Sequence, residues 1–170
     1  MSFPVLIIVG LVLNAAAALL VLWRGSLDPG GAAAGVVIGT VYFPISLLVL
    51  VNLCWRGVMP VWVGGMAVLV LGWGDGLAAL VGEGNGAQGV RIWGGRKSAA
   101  GTILMFSASF VVTLAFTLIF NTRYGSFLPA IEVSTIVAAA ATAVELFTPL
   151  GIDNLTVPLA VAALYAGVFA

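Results

Sequence analysis

The sequence contains no histidine and a single cysteine, Cys54. Without histidine there is no imidazole to serve as a general base near neutral pH or as a metal ligand. One thiol forms neither an internal disulfide nor a thiolate zinc site, because both need further cysteines from the same chain. Charge is scarce too: 7% of the 170 residues are charged, six of each sign, for a formal net charge of zero. A chain with no basic excess creates no overall positive field for nucleic acid, so a nucleic-acid partner is not expected. Soluble domains carry about 25% charged residues. A chain this poor in charge and 62% hydrophobic therefore belongs to the membrane class.

What is present is a series of apolar runs. A helix that spans hydrocarbon needs about 20 apolar residues, and six runs can be drawn, at residues 3–23, 32–53, 59–81, 103–120, 127–147 and 155–170. The first has no basic residues ahead of it and no clear small-residue cleavage site, so it reads as a retained transmembrane helix. Asp28-Pro29-Gly30 signals a turn and a helix start, and Pro44 is expected to kink the second run. The longest loop covers residues 82–98. No internal repeat or separate soluble domain is visible. The expectation is an all-α integral membrane protein of about six transmembrane helices, a single polytopic domain over residues 1–170.

Basic residues in short loops set orientation. The first, third and fifth loops hold Arg24, Arg91, Arg96 and Lys97, against Arg56 and Arg123 in the second and fourth. This bias puts the odd loops in the cytoplasm. The same count collects Asp28, Asp75, Glu83, Glu145 and Asp153 at one membrane face, and only Glu132 falls near the other end. A site at that cytoplasmic face is within reach of a soluble nucleotide.

Asp75 lies in an apolar run, flanked by Gly72, Gly74 and Gly76. A charge at bilayer depth costs about 2.5–3.5 kcal/mol on insertion scales, so it is expected to face a polar cavity or a partner. It either binds Mg²⁺, which takes oxygen ligands and bridges phosphates, or draws a proton from an attacking hydroxyl; its structural alternative is an ion pair with a loop arginine. The glycines suit close helix packing as well as ligand approach. Gly84-x-Gly86-x-x-Gly89 has dinucleotide-loop spacing but follows an apolar helix where that fingerprint needs a strand, and Gly94-Gly95-Arg96-Lys97-Ser98 lacks the glycine before lysine of a Walker loop. Arg91, Arg96 and Lys97 are nonetheless candidates for phosphate oxygens, with backbone N–H groups at the start of the following helix; otherwise they anchor the chain at the membrane surface. Glu145 is hard to explain as packing in a run otherwise so apolar. Asp153 or Asn154 would also serve as an ordinary helix cap.

Three motifs in order carry a family resemblance: Gly74-Asp75-Gly76 with Ala78-Ala79 and Gly82; Lys97-Ser98-x-x-Gly101-Thr102; and Glu145 followed by Asp153-Asn154-Leu155-Thr156-Val157-Pro158. Spanning residues 72–158, they resemble the CTP-dependent polyprenol kinases, the family of phytol, farnesol and dolichol kinases, most closely its phytol kinase branch. The resemblance implies an integral membrane enzyme that moves the γ-phosphate of CTP to the hydroxyl of an isoprenoid alcohol with Mg²⁺ or another divalent cation. It assigns catalysis to Asp75, Lys97, Glu145 and Asp153, metal binding to Asp75, Glu145 and Asp153, and nucleotide phosphates to Lys97, Ser98, Gly101, Thr102 and Asn154, to which the loop's charge adds Arg91 and Arg96. The chain departs from the pattern at Glu83, where many relatives have a basic residue, and at Ala100, where many have glutamate. A CTP:phosphatidate cytidylyltransferase would use the same nucleotide and metal but release pyrophosphate. A small transporter would instead spread polar residues through the membrane depth.

Overall fold

The computed structural model describes residues 32–84, 90–92, 95–124, 126–148 and 151–169. The first expected helix, at residues 3–23, and the turn at Asp28 lie outside them. Five helices follow in order: α1 (Ala32–Trp55), α2 (Val61–Gly84), α3 (Ala99–Phe120), α4 (Phe127–Phe147) and α5 (Asp153–Val168). These match the five expected runs, with α4 at its expected ends and the others displaced by a few residues. Among the described residues, α3 and α4 are long and apolar enough to cross a membrane, while Val41–Trp55, Val61–Leu77 and Asp153–Val168 are shorter apolar helical stretches.

One correction concerns the loop at residues 82–98. Its second half contains a hairpin, β1 (Val90–Ile92) and β2 (Gly95–Lys97), antiparallel, with Val90 opposite Lys97 and Arg91 opposite Arg96. Among the described residues the structure is thus helical with one small sheet. Val90 and Ile92 are β-branched and favour extended backbone, but three-residue strands are too short to show a period in sequence. At the other end of this loop, α2 continues through Gly82 to Gly84.

The helix ends have local causes. Gly57 at φ +70° ends α1, with the Val58 amide donating to the Leu53 carbonyl and the Gly57 amide to that of Cys54, the reversed turn that glycine permits after a helix. Ser98 caps α3, its hydroxyl oxygen accepting from the Gly101 amide at 3.0 Å. Asn121 closes the same helix, its side-chain oxygen accepting the amides of Arg123 and Tyr124. Both α1 and α5 run through an internal proline, Pro44 and Pro158 respectively.

α5 packs against α1, α2 and α4, and α3 lies between α2 and α4. Met66, Val70, Met105, Val137, Val161 and Tyr165 belong to the resulting core. The burial pattern is inverted relative to a soluble bundle. On α3 the buried line is Gly101, Met105, Ser109, Thr113 and Thr117, while Ile103, Val111 and Ile119 are exposed. On α4 the buried line is Ala130, Val133, Ser134, Val137, Ala138, Ala141 and Glu145, mostly small, whereas Leu128, Ile136 and Phe147 are exposed. Small and hydroxylated residues inside with large apolar ones outside is the arrangement of helices that pack in lipid.

Candidate functional site

Asp75 sits in the C-terminal half of α2, Glu145 in the last turn of α4, and Asp153 at the first position of α5. The bundle brings these three together: one carboxylate oxygen from each lies within 4.8 Å of the other two. Asp75 is half-buried, whereas Glu145 and Asp153 are only 5% and 7% exposed. Like charges about 4 Å apart at a partly buried site repel by about 4 kcal/mol. Such a cluster therefore needs a cation, a basic group or a shared proton to offset it.

Local contacts place each acid. At Gly74, next to Asp75, a Cβ would collide with the Met105 sulfur of α3, so glycine lets α2 and α3 approach at that turn with Met105 in place. Among the described residues nothing lies within 4 Å of where a Cβ would stand at Gly72 or Gly76. The glycines of the first motif thus divide their work: Gly74 serves packing, while Gly72 and Gly76 leave open space beside Asp75. Between α4 and α5, the Thr148 and Thr156 hydroxyls meet at 3.1 Å, with Thr156 also bonded to the Ile152 carbonyl. This clasp ties the end of the helix that carries Glu145 to the start of the one that carries Asp153. Gly151 turns the chain between them at φ +79°, a conformation that disfavours any side chain. Asp153 accepts the Asn154 amide at 3.0 Å, and the Asn154 side chain reaches the Gly151 carbonyl at 3.4 Å. An acid in the first turn also suits the positive end of the helix dipole.

The other expected site residues cluster at the start of α3. Ser98 is its cap, Gly101 is buried in its first turn, and Thr102 donates its hydroxyl to the Ser98 carbonyl at 3.1 Å. Lys97 and Arg96 are the last two residues of β2, and Arg91 is the cross-strand partner of Arg96. The hairpin thus feeds directly into the N-terminus of α3. The Thr148–Thr156 clasp and the Met105 contact were not read from sequence. Threonine and methionine in apolar helices carry no signal that separates a tie between helices from filler.

The donor set fits a hard divalent cation. It offers three carboxylates and neither sulfur nor imidazole, the chemistry that suits Mg²⁺. With their oxygens within 4.8 Å of one another, the three side chains are close enough to converge on one ion.

No family model and no solved structure matches the chain. A phytol kinase of Synechocystis sp. (strain ATCC 27184 / PCC 6803 / Kazusa) is 40% identical over 121 residues, which cover 71% of this chain and 50% of that protein. The chain thus spans about half the length of the curated relative it matches. At that identity over most of its length, the chain belongs to the polyprenol kinase family, on the phytol kinase branch.

Proposed function

We propose that the chain carries the phosphotransfer site of a membrane lipid kinase, which moves the γ-phosphate of CTP to the hydroxyl of an isoprenoid alcohol such as phytol or geranylgeraniol. The observation that carries this reading is the convergence of Asp75, Glu145 and Asp153 from three helices to within 4.8 Å. The relative named phytol kinase supports the same class of acceptor.

Glu145 and Asp153, the two buried acids, hold the cation with Asp75 at its edge. A bound Mg²⁺ would supply positive charge to offset that of the nucleotide phosphates. Asp75 is the most accessible of the three and has open backbone at Gly72 and Gly76 on either side. It is therefore placed to orient the acceptor hydroxyl and take its proton as the O–P bond forms, the bond to the β-phosphate breaks and CDP leaves. Arg91, Arg96 and Lys97 bind phosphate oxygens as charge-assisted donors. At the N-terminus of α3 the Ser98 oxygen caps the helix while its hydroxyl proton is available to a phosphate, and Gly101 and Thr102 complete that turn. Asn154 orients Asp153 through its own backbone amide.

Exposed apolar side chains on α3 and α4, with hydroxyls inside, support insertion in a bilayer as a multi-pass protein. The carboxylate end faces the cytoplasm and its nucleotide pool. The direct test is transfer of label from γ-³²P CTP, and separately ATP, to phytol, geranylgeraniol, farnesol, undecaprenol and diacylglycerol by purified protein with Mg²⁺. A labelled isoprenoid phosphate with CTP as the better donor is the expected result. Pyrophosphate release on addition of phosphatidate, with no lipid labelled, would replace the kinase by a cytidylyltransferase.

A further inference from the structure

The site needs a place for the acceptor's tail, and the described residues contain an apolar groove on the helix that carries Asp75. Between α1 and α2 lies a cavity of about 640 Å³, walled by Leu47 and Val51 on one side and by Val61, Gly65, Val68 and Leu69 on the other. That volume falls within the ~300–1,000 Å³ of small-molecule sites. The lining residues of α2 recur every three or four positions, so they share one face of the helix. Continued at the same spacing, that face carries Gly72, then Asp75 and Gly76. Among the described residues nothing lies within 4 Å of a Cβ position at Gly65, Gly72 or Gly76, so this face of α2 offers bare backbone at three positions between the groove and Asp75.

The distances suit one kind of occupant. At about 1.5 Å per residue, the groove stretch from Leu69 back to Val61 lies roughly 9–21 Å along the helix from Asp75. A molecule with its hydroxyl at Asp75 and a long, flexible apolar chain fits this track; a compact head group or a charged ligand does not. We infer that the groove between α1 and α2 holds the isoprenoid tail of the alcohol, and that its open floor at Gly65 sets how long a tail the site accepts. This inference rests on the kinase reading for the placement of the hydroxyl, and on the groove alone for the placement of the tail.

The test uses the full chain in bilayers with a phytol analogue that carries a photoactivatable diazirine at the tail end, without nucleotide. The expected result is labelling, competed by phytol, at the far end of the groove, on Val51, Trp55, Val61 or Gly65. Competed label elsewhere, for example beside Leu159 and Ala163 in the smaller 320 Å³ cavity between α1 and α5, would overturn the inference, as would labelling that phytol does not compete. The second arm is Gly65→Trp, which fills the groove without meeting any described atom near its Cβ. It is expected to lower kcat/KM for phytol and geranylgeraniol about tenfold or more while leaving geraniol, whose shorter tail stops before the block, within about twofold. Equal loss for all three alcohols would remove the groove's role in selection. The two readings fail separately. Groove labelling by a protein that phosphorylates no alcohol keeps the groove and rejects the kinase; phosphorylation with the label elsewhere does the reverse.

Discussion

At the scale of single residues, the three acids differ in burial and so in what their loss should do. Asp75, half-buried beside open glycines, is assigned the acceptor hydroxyl. Asp75→Asn keeps the shape but removes the base, so turnover should fall by about 10²–10⁴ with the protein still folded and inserted; activity near wild type would reject the assignment. Glu145 is buried among like charges and is assigned the cation. Glu145→Gln keeps the shape of the side chain and removes one anionic ligand, and it is compared with wild type starting from EDTA-treated protein. Added Mg²⁺ should then stabilise wild type, by about 2.7 kcal/mol at a hundredfold excess over Kd, and leave the variant nearly unchanged. A parallel response of both proteins would show that Glu145 does not bind the ion.

At the scale of elements, the acids meet because three helix contacts hold them. Gly74 admits Met105, the Thr148–Thr156 pair joins α4 to α5, and Gly151 makes the turn between them. Gly151→Ala forces a Cβ into left-handed backbone, at a cost of about 1–2 kcal/mol. Because the strain falls two residues before Asp153, Mg²⁺ affinity should drop more than thermal stability alone predicts, measured as the metal dependence of the melting temperature. Ser98→Ala removes a cap and should cost about 1 kcal/mol. If the Ser98 hydroxyl also meets a phosphate, the KM for CTP should rise as well, which a purely structural cap would not cause.

At the scale of the whole molecule, polar groups sit at both ends of the bundle for different reasons. At the end away from the acids, Asn121, Thr117 and Tyr165 form a buried network, with the Tyr165 hydroxyl 2.8 Å from Thr117 and the Asn121 side chain donating to the Phe169 carbonyl at 2.8 Å. Every group there has a neutral partner, so the network needs no ligand. The carboxylate end instead gathers three acids within 4.8 Å, a donor set that a bound divalent cation would suit. Orientation is the remaining global property. In a Cys54→Ser background, Arg96→Cys should react with a membrane-impermeant maleimide from the cytoplasmic side and Arg123→Cys from the opposite side. The reverse pattern would turn the active end outward.

Composition and apolar run length were enough to place five helices, because a helix this apolar is bounded simply by where polar residues resume. α4 begins after Ser126 and ends before Thr148 for that reason. Counting turns also put Asp75, Glu145 and Asp153 near one end of the bundle. Spacing along the chain did not reveal that their oxygens lie within 4.8 Å, that Gly74 serves packing while Gly72 and Gly76 stay open, or that a hairpin leads into α3. Those features depend on how closely helices distant in sequence cross and how they are rotated about their axes, and on cross-strand pairing too short to leave a period. Local polarity therefore determined the elements and the end of the molecule at which the acids gather; only the packing of α2, α4 and α5 against one another decided that three scattered acids meet.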